Sequence, residues 1–591
     1  MKTHLPEQTK QLFIRLWIHL GKKRRRQFFL LLGLTFIVSL LDVVSIGAVF
    51  PFLGVLTSPE RIFEYSPVSH TIHYFGFSNP KELLFLITLI FIIATLVSGV
   101  MRLCLLWFQN KFSHAVGADF SHEIYWRTLH QTYLVHTQRN SSEIISAITS
   151  KSSQIVNTVI LPLLIIINSC FLLAILLAAL MMIDWRVSVS SLVGFGLIYG
   201  LVMLVTKKRL ARYSKQINLE QNFVLKALQE GLGGIRDVLI DSSQNFYSKL
   251  YKNADKKLRV AQANIQIIGG SPRYFVEALG MVLIAWLAYS LSIRDGGFSA
   301  SIPILGAMAL AAQRLLPALQ QAYFSWTSIQ GNRDSLAETL RLLDQPVSSY
   351  LDAQAISISF KNKIQIQDLD FKYDSQSTAV LRKINLEIKK GDRVGIIGGT
   401  GSGKTTLVDL LMGLLQPTSG HILVDGLLIQ GPDVLAWQKH IAHVPQSIFL
   451  ADATILENIA FGMPYEEINV ERVKLCAEKA RISETVEALP YKYMTKIGER
   501  GVRLSGGQRQ RIGIARALYK EADVLVFDEA TSALDGDTET AVIEAIEELD
   551  TTLTILMVAH RLSTLRNCNL IFELEDGRIN RTGSYKELIG V

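Results

Sequence analysis

Eight consecutive residues, Gly398-Gly399-Thr400-Gly401-Ser402-Gly403-Lys404-Thr405, have the types and spacing needed to hold a string of phosphates. Glycines let backbone N–H groups close around an anion at a helix N-terminus, where the dipole favours negative charge. Lys404 adds a point charge for the β- and γ-phosphates, Thr405 offers a magnesium ligand, and Thr406 follows in the same turn. An apolar strand, Val394-Gly395-Ile396-Ile397, precedes the loop and an apolar-periodic helix follows it, a setting that a chance glycine-rich turn lacks. Further on, Val524-Leu525-Val526-Phe527 reads as a buried strand ending in Asp528-Glu529. At the carboxyl edge of a parallel sheet Asp528 would hold magnesium and Glu529 would orient and polarise an attacking water; elsewhere such acids are ordinary solvated loop residues. Between these motifs, Leu504-Ser505-Gly506-Gly507-Gln508 opens a basic helix containing Arg509, Arg511 and Arg516. Gly-Gly at a helix start is a second exposed cluster of amides, and a generic phosphate-loop enzyme needs only one.

With both clusters present, the chain from about 363 to its end resembles the ABC ATPase family. The family's signature is Leu-Ser-Gly-Gly-Gln, and its nucleotide lies between the phosphate loop of one domain and the signature of another. The resemblance implies ATP and Mg2+ as cofactors, with Ser505, Gly506, Gly507 and Gln508 on the nucleotide. Tyr373, in Phe371-Lys372-Tyr373, is similar to the aromatic that stacks on adenine, though by itself it reads as an ordinary strand aromatic. Gln446, in Val444-Pro445-Gln446, resembles the glutamine that touches magnesium and water. Asp535, in Ser532-Ala533-Leu534-Asp535, matches the loop that crosses the dimer, and His560, in Ala559-His560-Arg561, the switch on the γ-phosphate. Gly498-Glu499-Arg500-Gly501 resembles the segment with which exporters contact a partner's cytosolic helices. The motif set occurs once and each site needs two halves, so a dimer is implied. Self-pairing is simplest; a heterodimer with another half-transporter stays open.

The elements that must carry these residues follow from composition. The chain has 591 residues, too many for one core, with 49% hydrophobic and 19% charged residues. The mean hydropathy of +0.27 is ordinary for a chain partly dissolved in lipid. A net charge of +8 raises the question of nucleic acid, but the basic residues gather beside apolar runs without interleaved aromatics, which argues against that partner. The four cysteines show no CxxC or metal-ligand spacing. The N-terminus carries no cleavable signal, because the apolar run after Lys22-Lys23-Arg24-Arg25-Arg26 is too long for one. The expected fold class is therefore a membrane α-helical part with six transmembrane helices followed by an α/β ATP-binding domain. Its expected divisions are an N-terminal segment 1–27, a membrane domain 28–332, a linker 333–362 and an ATP-binding domain 363–591.

Six stretches are long enough to cross a bilayer: about 28–56, 83–108, 155–182, 187–206, 265–292 and 298–326. Both ends thus share one side. The Lys22–Arg26 run and the twelve Lys or Arg between Lys207 and Arg259 lie there, so the positive-inside rule makes the protein a multi-pass inner-membrane one with cytosolic termini. The connections 109–154 and 207–264 are long and helically periodic, fitting helices that continue into the cytosol better than separate domains. This arrangement resembles that of ABC exporters, which implies alternating access driven by ATP binding, with docking elements near Thr132–Thr137 and Glu230–Leu239. Gly231, Gly233 and Gly234 in the latter otherwise simply break a helix.

Ionisable residues inside spans point to function. Asp42, Arg102, Arg273, Glu277 and Arg314 qualify. Either they snorkel or pair internally, Glu277 neutralising Arg273, or the arginines form a cavity suited to a phosphate or pyrophosphate. The stretch from Asp42 to Leu56, Ser271-Pro272-Arg273-Tyr274-Phe275-Val276-Glu277 and Gln313-Arg314-Leu315-Leu316-Pro317 resemble membrane segments of bacterial lipid-linked oligosaccharide flippases. That resemblance implies a polyprenyl-pyrophosphate glycan as cargo. The aromatics of Pro59–Phe77 fit either a helix guiding a lipid tail or an interface anchor. An exporter of amphipathic lipids or drugs, or an ATP-gated regulatory or channel protein, would share the ATPase residues.

Overall fold

The computed structural model describes residues 9–49, 52, 80–183, 185–292, 298–347, 358–374, 378–528, 544, 552–559 and 562–589. The chain divides into two compact units, one of Met1–His130 with Arg139–Pro346, the other of Gln131–Gln138 with Val347–Val591.

The first unit is helical. An amphipathic α1 (Thr9–His19) buries Leu12 and Leu16 one turn apart and precedes α2 (Lys22–Gly47), so the basic run is itself the first turns of a helix. Next comes α3 (Pro80–Leu129), whose 50 residues span about 75 Å at 1.5 Å per residue, more than twice a hydrocarbon core. After α4 (Tyr133–Gln138), helical turns run from Ser141 into α5 (Leu161–Ile183), interrupted by π-helical turns at Ala147–Lys151 and Val156–Ile160. The sequence continues with α6 (Trp185–Gly233), α7 (Ile235–Ile240), α8 (Gln244–Gly270), α9 (Pro272–Ser292), α10 (Phe298–Gly331) and α11 (Arg333–Leu343). Long helices thus occupy each of the six expected spans. Among the described residues, α2, α3 and the helix from Ser141 to Ala179 meet length and hydropathy limits for crossing a membrane. The fifth span runs from the end of α8 into α9 through Ser271, which keeps helical dihedrals and donates to the Ile267 carbonyl; Pro272, lacking an N–H, interrupts the hydrogen-bond ladder there.

The extended helices are held by a core that runs between them. Phe112, Val116, Phe120 and Ile124 recur every fourth residue on α3 and pack on Ile155, Val159 and, from α11, Leu336 and Leu340. The approach is close enough that a Cβ on Gly117 would sit 2.3 Å from Val156 Cγ2. Within this core Lys151 is fully buried, with its Nζ 2.6 Å from Glu338 Oε2. Burial pushes the lysine pKa down while the Glu338 charge opposes that.

The second unit has two sheets. Strands β1 (Lys363–Phe371), β2 (Leu381–Lys389), β4 (Ser419–Val424) and β5 (Leu427–Leu428) form an antiparallel sheet in the order β2-β1-β4-β5. A six-stranded sheet contains β3 (Arg393–Gly398), β6 (Ile441–Val444), β7 (Val524–Asp528), β8 (Thr554–Val558), β9 (Leu570–Glu575) and β10 (Arg578–Gly583), ordered β10-β9-β3-β8-β7-β6. All its pairs are parallel except β9 with β10. Its central strands β7 and β8 are near-continuous buried apolar runs, as cover on both faces demands, whereas the edge strand β10 is polar and largely exposed.

Candidate functional site

Strand register brings the chemistry-bearing motifs to one sheet edge. Ile396 of β3 and Asp528 of β7 both lie opposite Val558 of β8, and Val444 of β6 lies opposite Phe527. The phosphate loop after β3, Gln446 after β6, Asp528 and the Ala559 end of β8 therefore leave the sheet together at its carboxyl edge. The helix α12 (Lys404–Leu411) starts directly from the loop.

Glycine is required at three points of that loop, at Gly401 by its φ of +81° alone and at the other two by close approach as well. Gly398 has φ +151° and a Cβ there would lie 2.2 Å from the Leu574 carbonyl oxygen; Gly403 has φ +103° and a Cβ would meet Leu381 Cδ2 at 2.7 Å. At Gly399 and Gly401 the same construction meets open space, so the loop is tight beneath and open above. Lys404 is buried and its ammonium donates to the carbonyl oxygens of Gly398 and Gly399 at 2.9 and 3.0 Å. Ser402 Oγ is buried without a hydrogen-bond partner among the described residues, the kind of orphan a phosphate oxygen would satisfy. Thr400 and Thr405 are exposed. These donors, with the oxygens of Thr405 and Asp528, fit a nucleoside triphosphate and its magnesium ion. Thr406 points the other way: it is buried and its hydroxyl lies 3.0 Å from Tyr373 Oη.

Tyr373 also packs edge-on against Phe371, with ring centroids 5.0 Å apart, and its carbonyl accepts from Gln138 Nε2 at 3.4 Å. Gln138 belongs to α4, one of the two docking elements expected from sequence; Leu134 of the same helix packs on the core beneath the phosphate loop. Burial raises the Tyr133 pKa, reinforced by the charges of Asp409 and Tyr373. Asp409, on α12, escaped the sequence reading. Burial, then the neighbouring Asp528, push its carboxyl up to about 6. The only signal was an acid inside Leu407-Val408-Asp409-Leu410-Leu411.

The second amide cluster is built as a capping box. Ser505 Oγ accepts from Gln508 N–H at 3.2 Å and Gln508 Oε1 accepts from Ser505 N–H at 2.9 Å, starting α13 (Gly506–Tyr519). Ser505 and Gly506 are exposed, leaving the N-terminus of this helix open, whereas Gln508 Oε1 is occupied by the cap. Arg516, farther along, is structural: it donates to the carbonyls of Asn458 and Phe449, and burial lowers its pKa to about 10. Gln446 is exposed. Glu529, Asp535 and His560 lie outside the described residues, as does Pro59–Phe77.

Two family models match this chain, the ABC transporter model over residues 381–532 and the ABC transporter transmembrane region over 31–341. The chain belongs to the ABC transporter family. It is 29% identical over 496 residues to the ATP-dependent lipid A-core flippase of Cupriavidus metallidurans, covering 84% of this chain and 83% of that one. It is 30% identical over 481 residues to the protein of the same name from Paraburkholderia xenovorans, covering 80% and 79%. A solved bacterial Atm1-family ABC exporter with ATP bound shares its fold, with a TM-score of 0.75, 23% identity and 96% of each chain covered. This ABC transporter is accordingly an exporter-type half-transporter, an integral membrane protein that hydrolyses ATP and whose half-transporter fold implies dimerisation.

In the transporter's membrane unit the candidate cavity residues fall into two groups. Arg102 Nε lies 2.6 Å from Asp42 Oδ1, and Ser98 Oγ donates to the same oxygen at 2.5 Å. Arg314 is within electrostatic reach of that pair. Arg273 Nε donates to Glu277 Oε1 at 2.8 Å, the internal pairing expected as one alternative, and Gln320 approaches the same carboxylate at 3.5 Å. Pairing of Asp42 with Arg102 was not foreseen. Among the described residues Arg314 alone of the three arginines has no carboxylate partner.

Proposed function

We propose that this half-transporter pairs with a second copy of itself and uses ATP to flip an anionic lipid, most specifically a lipid-linked oligosaccharide or polysaccharide precursor, across the inner membrane. Both termini are cytosolic, and by function the chain divides into 1–27, 28–332, a linker 333–362 whose first part, α11, packs with the helical unit, and 363–591. The observation that carries the reading is the pairing of two anion-binding amide clusters within one ATPase unit: the phosphate loop at the sheet edge and the open start of α13. Each nucleotide is held by Gly398, Gly399, Thr400, Gly401, Ser402, Gly403, Lys404 and Thr405 of one copy, with Thr406 behind them bracing the loop through Tyr373, and by Ser505, Gly506, Gly507 and Gln508 of the other. Tyr373 stacks on the base. Thr405, Gln446 and Asp528 hold Mg2+, Glu529 polarises the attacking water, His560 contacts the γ-phosphate, and Asp535 lies in the loop that crosses to the partner.

Closure of the pair is favoured because ATP binds the closed state better than the open one, and hydrolysis resets it. The docking of α4 within the ATPase unit supports a direct mechanical link. The exposed apolar residues Ile235, Leu239 and Ile240 of α7 supply a second docking surface for the other copy.

For cargo, the names of the flippase relatives and the segments around Asp42, Arg273 and Arg314 support an anionic lipid. Two arginines are already matched by acids, so Arg314, doubled in the dimer, is the residue that meets the phosphate. A transporter of amphipathic lipids or drugs is the competing reading. ATP-dependent translocation in proteoliposomes separates them, with a labelled polyprenyl-pyrophosphate glycan and a fluorescent amphipathic drug as substrates. The glycan lipid should move, and Arg314→Ala should slow it at least tenfold; drug transport alone, or glycan transport indifferent to Arg314, would overturn the assignment.

A further inference from the structure

Near the start of α2 and the middle of α3 lies a cavity of about 510 Å³ that plays no part in nucleotide or cargo handling as read above. One end is apolar and aromatic, lined by Leu30, Leu34 and Trp107; the other is polar, lined by Arg24, Gln27 and Lys111. Leu30 is 68% exposed and Trp107 is 55% exposed, although both sit within or beside apolar runs. Phe29, Leu30, Leu106, Trp107 and Phe108 are all exposed, so the faces of α2 and α3 beside the groove are bare where hydrocarbon would surround them. The expected spans begin at about 28 and end at about 108, so the change from apolar to polar lining falls at the membrane boundary, on the side of the termini.

The polar end is organised for an anion. Arg24 is fixed by Asp119, at 2.7 and 3.2 Å, and by Gln27 at 2.9 Å, so its own charge is matched. Lys111 has no acid within ion-pair distance among the described residues; its Nζ stands 4.5 Å from the centre of the Trp107 ring, which orients the ammonium at the mouth of the groove. Lys22, Lys23 and Arg26 are exposed in the adjoining turns of α2. A cationic mouth above an apolar slot at a membrane boundary is complementary to one class of molecule, a lipid with a phosphate head group and acyl tails.

We infer that the groove between α2 and α3 retains an anionic phospholipid of the leaflet on the side of the termini, its phosphate at Lys111 and its acyl chain along Leu30, Leu34 and Trp107. This lipid is a bound companion, not cargo, and its presence is independent of what the transporter moves. Aqueous anions lack the apolar part, and a zwitterionic lipid of the same tails gains less at the mouth.

Native mass spectrometry of the full-length transporter in neutral detergent tests this, with phosphatidylglycerol and phosphatidylcholine of identical chains titrated in parallel. Wild type should bind the first phosphatidylglycerol at least fivefold more tightly. Lys111→Gln and Trp107→Ala should each reduce that preference to twofold or less, while Lys249→Gln, an exposed cation on α8, leaves it unchanged. Equal binding of the two lipids by wild type, or an unaltered preference in both groove variants, would overturn the assignment. Displacement of the lipid by soluble glycerol phosphate would do so too, since it would make the groove a plain anion site. Thermal unfolding on the same samples confirms that each variant remains folded.

Discussion

In the ATPase unit, working groups are placed by backbone register; in the membrane unit, charged groups are placed by one another. Asp528 and the phosphate loop stand at a common edge because Val558 lies opposite both Asp528 and Ile396, and the ladders would hold that arrangement whatever the side chains at the loop. Lys151 with Glu338, Arg102 with Asp42, and Arg273 with Glu277 have no such scaffold, and each pair fixes its own geometry across or along helices. Removing a functional side chain should therefore cost activity with little stability in the ATPase unit, and stability in the membrane unit.

The largest expected effect is on Lys404. Replacing it by alanine removes the charge aimed at the phosphates, and ATP turnover should fall at least ~100-fold, about 2.7 kcal/mol of transition-state stabilisation. Its melting temperature should stay within about 2 °C of wild type. A large drop in melting would break the contrast.

Next in size is the buried pair at α11. Lys151→Met leaves Glu338 buried without its cation, which should destabilise the transporter by on the order of 3 kcal/mol, measured by thermal unfolding in detergent. The double variant Lys151→Met/Glu338→Gln should recover most of that loss, because the cost lies in the orphaned charge. Failure of the second change to restore stability would show that Lys151 acts through packing alone. For Arg102→Leu the same logic gives a smaller loss, roughly 1–3 kcal/mol, because Arg102 retains 32% side-chain exposure. Adding Asp42→Leu should restore it.

The smallest effect concerns Asp409, a buried acid at the nucleotide edge. The Asp409 carboxyl is raised in the fold to about 6 from an ordinary 3.8, so the native state binds its proton more tightly than the unfolded chain. Its stabilising contribution is complete below the unfolded value and is lost as pH rises through about 6. Without magnesium and nucleotide, Asp409→Asn should stabilise the protein at pH 8 by on the order of 1 kcal/mol, and by less at pH 5. No difference between the two pH values would remove Asp409 from the electrostatics of the Asp528 edge.

The same division explains what was legible in the sequence. The phosphate loop and the Arg273–Glu277 pair are local: their partners lie within a few residues, so spacing alone reports them. The six long helices were readable from hydropathy because lipid demands runs of apolar residues. Asp42 and Arg102 are 60 residues apart, and only the crossing of α2 with α3 brings them together. Asp409 gains its character from Asp528 on a different strand, and Thr406 is turned inward by Tyr373 from the other sheet. Such pairings depend on tertiary packing. The interruption at Pro272 was within reach, since proline inside an apolar helix announces it.

The proposed composite nucleotide site can be tested by counting trapped ATP. In a Glu529→Gln background, where the proposed role of Glu529 predicts that ATP is held but not cleaved, two intact copies should trap two ATP per pair. Lys404→Ala removes the phosphate loop's cation, and Gly506→Asp places an acid at the open start of α13, where a Cβ meets nothing within 4 Å. Homodimers of either should trap none. In a fused pair of one Lys404→Ala copy and one Gly506→Asp copy, sites shared between chains leave one site whole, and one ATP per pair should be trapped. Zero trapped in that fused pair would mean that each site is built within a single chain, contradicting the paired half-transporter.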